Sequence, residues 1–549
     1  MAAGSFQFSI FSLQSIAIIV TISITTGNAA NILVMVPMPF KSHTMNFLPI
    51  FKELAVRGHN VTVVSPFPQK TPVPNLTDIV VPNILNNLFD SSTAKTMISK
   101  DDLISGTTML WKFALESIPI ALKFESVQKL IKSADAKFDL VIAETWCVQE
   151  PFVAFGHKFN APVVNIMPAF LFPLPAHLSG NHLPLAYSPL TRLVQNDRMT
   201  FIERVNNFFG YYFNIVAGEL YYLEKQDALM REYFKYPGSE NLPSIQDLLR
   251  NTSLTLIDYN FAIGYPVPLH KNVILFGGIN VHGSGKLPAD HQKIMDNAND
   301  GIIYFSFGTF FKISFLEPFV QDAILSALGK LKYKVLLKLD DPSLLQNYSS
   351  KNIVVRSWYP QSAVLAHPNC KLFITHGGIH GLMEAVYHAV PMVVVPFMAD
   401  QYFNAKFVET VGIGMKLERE TIHEELVLEA VERVLQNPLY QEKIQERSAI
   451  FKDQPIPTMD HVIYWIEYVI RHRGAPHLRP AVLDLHWYQY LMLDVIAFYS
   501  LTVGVILYIV KTILSLFIRC IKCFIFSDKD CESKDLSNQR TYKKISKKE

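Results

Sequence analysis

Cysteine is scarce in this chain: five in 549 residues, at 147, 370, 520, 523 and 531. None of the spacings makes a zinc site, because the Cys520–Cys523 pair is followed by no second pair and no histidine cluster. Cys147 and Cys370 fall in different halves and read as buried free thiols, while Cys520 and Cys523 lie where palmitoylation is an option. Excess charge is also missing. Lys plus Arg total 50 against 48 Asp plus Glu, for a net +2. The stretch 511–549 alone holds ten Lys/Arg and five Asp/Glu, so the remainder is slightly acidic. That leaves no basic surface for nucleic acid. No Asp-x-Asp pair stands at a strand end in the second half, so metal dependence is not expected. Apolar residues, by contrast, are abundant. They make up 50% of the chain, with 38 Phe, enough to fill the cores of the two or three domains this length predicts.

Both ends carry targeting signals. MAAGSFQFSIFSLQSIAIIVTISITTGNAA has an apolar middle and small Gly27 and Ala29 before a cut, so residues 1–29 read as a secretory signal peptide, although no Lys or Arg precedes the apolar run. Val495 to Val510 is uncharged, Lys511 can snorkel, and the apolar run resumes to Ile518. Together they predict a transmembrane helix over 495–517. Trp487, Tyr488 and Tyr490 flank it on one side, and the basic tail 518–549 on the other. The positive-inside rule places that tail in the cytosol and residues 30–490 in a lumen. Asn60, Asn75, Asn251 and Asn347 each head an Asn-x-Ser/Thr triplet, as expected of a lumenal chain.

Between these ends, apolar runs alternate with helical spacing. ILVMV at 32–36 is a strand, and Pro37, Pro39 and His43 follow it. Phe47, Ile50, Phe51, Leu54 and Ala55 then recur at helical intervals until Gly58. Val61–Val64, Leu140–Ala143 and Val163–Ile166 continue a doubly wound α/β pattern. Residues 170–250 are Phe- and Tyr-rich and mostly helical. A second series starts near Asn272 with VILF, then IIYFSFG at 302, KVLLKL at 334 and NIVV at 352. The expected division is 30–260 for one Rossmann-like domain and 261–480 for a second facing it, with 481–494 as a juxtamembrane link.

The densest information lies in 358–401, WYPQSAVLAHPNCKLFITHGGIHGLMEAVYHAVPMVVVPFMADQ. A buried strand runs into His376-Gly377-Gly378, where glycine lets backbone N–H groups approach a phosphate and a helix N-terminus favours its charge. A second strand ends just before Asp400-Gln401, the place where open parallel sheets bind ligands. This order of groups suits a nucleotide-sugar. The segment resembles the signature of the UDP-glycosyltransferase family, specifically its animal, membrane-anchored branch. Trp358, Pro360, Gln361, Leu365, His367, Phe373, Thr375, His376, Gly377, Gly378, Glu384, Ala385, Pro391, Pro396, Asp400, Gln401 and Asn404 carry the match. Three positions depart: Ala389 stands where the family usually has Gly, His380 where vertebrate members carry Asn, and Glu144 where Asp is common.

The resemblance implies a GT-B fold with the acceptor in the N-terminal half and the donor in the C-terminal half. It implies inverting transfer of glucose or glucuronic acid from a UDP-sugar, a co-substrate rather than a cofactor, to a small lipophilic acceptor, as in detoxification. It also implies an endoplasmic reticulum enzyme of single-pass type I topology, in contact with membrane lipid. Self-association stays open. His43 is the expected general base and Glu144, at the end of FDLVIAE, its carboxylate; Asp139 opens that strand at the far end. The UDP site is assigned to Ser306, Gly308, Thr309, Trp358, Gln361, His376, Gly378, His380, Gly381 and Glu384, and the sugar to Asp400 and Gln401. Plainer readings stand beside these: a capping His43, a tight turn at Ser306, a core Trp358, a solvated Glu384, and Asp400-Gln401 as a helix N-cap pair. His367, His388 and the aromatic stripe 201–223 read as structural, the stripe also as a wall for an apolar acceptor or a membrane-leaning face. Two rival functions remain, a non-catalytic binder of lipophilic ligands on the same scaffold and a glycolipid or protein glycosyltransferase.

Overall fold

Strand β1 (Asn31–Met35) is buried from Ile32 onward and forms the pivot of the first sheet. The computed structural model describes residues 29–84, 102–145, 148–281, 285–309, 311–346, 348 and 351–545, with side chains to 525. The expected signal peptide, Cys147 and Asn347 lie outside the described residues. Parallel to β1 run β2 (Asn60–Ser65), β3 (Leu76–Val80), β4 (Leu140–Ala143), β5 (Val163–Met167), β6 (Leu254–Ile257) and β7 (Val273–Leu275), in the order β3-β2-β1-β4-β5-β6-β7. The order reverses between β1 and β4, and open α/β sheets carry their ligand crevice at such a reversal. Helix Lys41–Val56 buries Phe47, Ile50, Phe51, Leu54 and Ala55 against one face, at the spacing expected. Gly58, at φ +96°, then turns the chain into β2.

The second sheet repeats the plan with β8 (Ile302–Ser306), β9 (Lys334–Lys338), β10 (Ile353–Arg356), β11 (Cys370–Thr375), β12 (Met392–Val394) and β13 (Gly414–Lys416). Its order is β10-β9-β8-β11-β12-β13, so its reversal falls between β8 and β11. Side chains alternate along each strand. Ile303 and Phe305 join one core with Leu372 and Ile374, while Ile302 and Tyr304 join the other with Phe373.

The expected domain division needs correcting at both ends. VILF was read as opening the second series, but Val273–Leu275 pairs with β6 and closes the first sheet. An apolar run does not reveal which sheet it joins, and β6, unread in the sequence, was the missing neighbour. Helix Thr458–Arg471 also returns to the first half. Its Val462, Ile463, Ile466 and Val469 share a core with Ile32, Val34 and Phe51. Arg57 reaches Asp460 at 2.6 Å across that seam.

Both sheets lie in one compact unit that ends at Pro480, and a second unit begins at Ala481. In the second unit, helix Leu493–Ile545 does not stop at 517. Its stretch Leu493–Ile525 is long and apolar enough, by length and composition, to cross a membrane.

Candidate active site

His43 occupies the first turn of helix Lys41–Val56, not the loop expected from the sequence. The capping reading fails, since no side chain caps that helix. His43 Nδ1 lies 2.7 Å from Glu144 Oε1, just past the C-terminal end of β4, so the pair straddles the reversal between β1 and β4. Glu144 is 2% exposed and His43 keeps a fifth of its side chain open. A carboxylate accepts only, so Nδ1 carries the hydrogen and Nε2 is left as the basic nitrogen. Asp139 accepts from the Asn31 N–H at the opposite end of the sheet, away from His43.

The second reversal holds Ser306 at the end of β8, Gly308 just past it and His376 after β11. Gly308, at φ +79°, donates its N–H to Ser306 Oγ. A Cβ on Gly308 would come within 2.9 Å of the His376 ring, and one on Gly378 within 2.6 Å of its Nε2. The imidazole thus fits only because both neighbours lack side chains. Burial first, then the charges of Lys338 and His380, push His376 down to about 3, so it stays neutral. Gly378 is the N-cap of helix Ile379–Tyr387, whose first N–H groups and dipole favour an anion. Lys338, at the end of β9, donates to the Gly308 carbonyl. Burial, with Lys41 and Lys312 nearby, holds its ammonium below the usual lysine range.

A cavity of about 640 Å³ lies between the two reversals. Lys41, Ser42, Asn46 and Asp258 line it from the first sheet, and Thr309, Trp358, His380 and Glu384 from the second. Trp358 is 61% exposed, which rules out the core reading. Glu384 is no solvated helix charge either. It accepts from Gln361 Nε2, and Tyr304 donates to the other end of that amide at 3.3 Å. Burial raises Glu384 to about 7. Gly381 faces Phe373 and Gln361 at ordinary contact distance.

Asp400 and Gln401 split between the two readings. Asp400 holds the N-cap position of helix Gln401–Val411 without a side-chain capping bond. Its Oδ2 accepts from Asn404 at 2.8 Å, and burial raises its pKa. Gln401 Oε1 accepts from the N–H groups of Phe397 and Met398, so that oxygen is committed to the loop. His367 and His388 serve structure, through Asp296 at 3.0 Å and Ser362 at 3.1 Å. Cys370 is buried and its thiol is pushed up to about 12. In the aromatic stripe, Tyr211 and Tyr222 are buried, while Phe201, Phe208 and Leu220 are more than half exposed. Asn60 begins β2, and Asn75 and Asn251 are exposed.

The sequence reading missed Lys338 and Asp258. Each stands at or just past the C-terminal end of its strand, so the rule that found Ser306 and His376 also reaches them. Asp258 Oδ2 lies 3.1 Å from His380 Nε2, joining the two halves across the cavity. Burial lowers the imidazole's pKa, but Asp258, Asp400 and Glu384 outweigh it and raise it.

Paired doubly wound sheets with a base at one reversal and a glycine-lined cradle at the other match known proteins. The family model described as "UDP-glucoronosyl and UDP-glucosyl transferase" covers residues 30–525. This chain belongs to that family. UDP-glycosyltransferase UGT5 of Dactylopius coccus is 35% identical over 482 residues, 86% of this chain and 90% of that one. UDP-glucuronosyltransferase 2B33 of Macaca mulatta is 31% identical, over 88% and 91%. Among solved structures, a UDP-glucose: anthocyanidin 3-O-glucosyltransferase in complex with UDP aligns at TM-score 0.53 and 15% identity, over 81% of this chain and 99% of that one. The calicheamicin glycosyltransferase CalG4 aligns at 0.51 and 16%, over 82% and 100%. The fold is GT-B, and the UDP-glycosyltransferase family makes this chain a transferase.

Proposed function

We propose that this UDP-glycosyltransferase moves glucose or glucuronic acid from a UDP-sugar to a hydroxyl of a small lipophilic acceptor, with inversion. The observation that carries the reading is the 2.7 Å contact between His43 and Glu144, whose chain neighbours Lys41 and Ser42 line a cavity shared with Thr309, Trp358, His380 and Glu384 of the other half. The acceptor O–H gives its proton to His43 Nε2 as its oxygen forms a bond to the anomeric carbon. The bond from that carbon to the β-phosphate oxygen breaks on the opposite face, and UDP leaves. Glu144 stabilises the imidazolium through Nδ1–H. The diphosphate's charge is met by Gly308, Thr309, the N-terminus of helix Ile379–Tyr387 and Lys338, without a metal. His376 stays neutral between the two glycines and packs the cradle. Trp358 stacks on uracil, Gln361 and Glu384 meet base and ribose, and Asp400 with the Gln401 amide meets the sugar hydroxyls.

We further propose that the catalytic unit lies in the lumen of the endoplasmic reticulum, anchored by the apolar helix, and serves detoxification of lipophilic compounds. Purified protein should be assayed with several UDP-sugars against a panel of phenols. Transfer is expected, and His43→Ala should abolish it while UDP affinity stays nearly unchanged. A protein that binds the phenols but transfers no sugar would instead be a ligand-binding glycoprotein. Protease added to sealed microsomes should trim only a few kilodaltons from the C-terminus; digestion of the bulk rejects the lumenal placement.

A further inference from the structure

The Glu144 carboxylate has a second partner. While Oε1 meets His43, Oε2 accepts from Gln149 Nε2 at 2.8 Å. Gln149 is 1% exposed and lies five positions along the chain. Val148, directly before it, sits at φ +59°, a left-handed conformation that β-branched residues avoid. Strain of this kind persists where surrounding contacts over-determine the backbone, and it gathers at functional sites.

Glu144 and Gln149 are both tied down. The Glu144 N–H donates to the Met35 carbonyl on β1. Gln149 opens the 3-10 turn Glu150–Val153, and Phe152 N–H donates back to the Gln149 carbonyl. Glu150 is buried and accepts from Tyr222 at 2.7 Å, and Gln226 donates to both. Trp111 stacks on Tyr222 with ring centroids 5.2 Å apart. Gln149 is thus held by groups that play no part in the chemistry.

A glutamate has one more rotatable bond than an aspartate, so a single contact to His43 leaves its carboxylate free to swing. A donor on the second oxygen removes that freedom. With one donor on each oxygen, the carboxylate is held from both sides. Among the described residues, Gln149 Oε1 finds no hydrogen-bond partner. The amide therefore orients on Glu144 alone. We propose that Gln149 is a positioning residue for the reaction, fixing the Glu144 carboxylate so that His43 keeps its hydrogen on Nδ1 and its lone pair on Nε2 toward the acceptor.

This rests on the His43–Glu144 pair acting as base and carboxylate, so the test separates the two ideas. Wild type, Gln149→Leu, Glu144→Gln, the double variant and His43→Ala are compared with UDP-glucose or UDP-glucuronic acid and a phenol, alongside thermal unfolding and UDP affinity. Leu approximates the volume of Gln without the donor. Gln149→Leu should lower kcat about tenfold or more, short of the ~10²–10⁴ that losing a base costs. Donor KM, UDP affinity and the unfolding midpoint should stay near wild type. In the Glu144→Gln background the same change should cost nothing further, because the group it orients is gone. Wild-type kcat in Gln149→Leu, or an equal extra loss in the Glu144→Gln background, overturns the positioning role and leaves the pair standing. Near-normal turnover in His43→Ala overturns the pair itself and the positioning role with it.

Discussion

Glu144→Asp puts the geometry of the base to a numerical test. The substitution restores the residue common in the family, but in a backbone built around Glu, so partial activity between wild type and Glu144→Gln is expected. The structure gives that loss a size. Removing one carbon–carbon bond retracts the carboxylate by about 1.5 Å. Along the present line, the 2.7 Å contact with His43 Nδ1 opens to about 4 Å, beyond hydrogen-bond reach. The contact to Gln149 opens as well. Glu144 is almost wholly buried, so solvent does little to replace what is lost. A hydrogen bond to a charged group nets about 1.5–3 kcal/mol, which at about 1.4 kcal/mol per decade predicts a roughly 10- to 150-fold fall in kcat. Glu144→Gln keeps the length and loses the charge, so it should fall at least as far. Asp139→Asn, at the other end of the strand, should stay within about twofold of wild type. Initial rates at saturating donor, with acceptor varied, give kcat for all three. Wild-type turnover in Glu144→Asp would refute the argument from reach, because the carboxylate would then work without touching the imidazole. A dead Asp139→Asn beside an active Glu144→Gln would move the carboxylate role to Asp139.

Ala389 sits at φ +57°. Ala389→Gly relieves a strain of about 1–2 kcal/mol and concedes about 0.5–1 in unfolded-state entropy, so the unfolding midpoint should rise by about 1–2 °C; a fall shows the site is not strained. Gly378→Ala drives a Cβ to 2.6 Å from His376 Nε2, so UDP affinity measured by calorimetry should drop at least tenfold, and unchanged affinity would remove the cradle from the donor site. The folded protein raises the pKa of His380. Its stabilising effect is therefore complete below its unfolded pKa of about 6.5 and fades as pH climbs through the higher folded value. The midpoint difference between wild type and His380→Asn should shrink from pH 6 to pH 9, and a constant difference would deny the Asp258 contact any ionic character.

The parallel strands were legible because each is an apolar run bounded by turn residues, and β1, β2, β4, β5, β8 and β11 all lie where those runs do. The strand-end rule then located Ser306 and His376 without any knowledge of sheet order, while His43 and Glu144 were named through the family resemblance. What the sequence hid was pairing. LTLID at 254–258 is too short and too polar at its end to stand out, so both β6 and Asp258 were missed. Without β6, VILF had no neighbour in the first sheet and was given to the second. The contact between Gln361 and Glu384, 23 positions apart, depends on how two helices pack, which no local pattern encodes. Ala389 is the reverse case. Where the family usually has glycine the backbone is left-handed, and this chain adopts it with alanine.

Helix Thr458–Arg471 has a bearing on how this gene can be cut. The polypeptide crosses from the first sheet to the second after β7 and returns before Thr458, so the first half is interrupted in sequence by the whole of the second. A donor-half fragment of 261–480 would carry β7 and this helix away from the sheet they complete. An acceptor-half fragment of 30–260 would expose Ile32, Val34 and Phe51 along the helix's footprint and aggregate. Separate expression calls for 289–457 alone and, as its counterpart, 30–288 fused by a short linker to 458–480. Chimaeras that exchange acceptor halves between family members must carry that returning helix with them, because a single crossover pairs one parent's sheet with the other parent's cover.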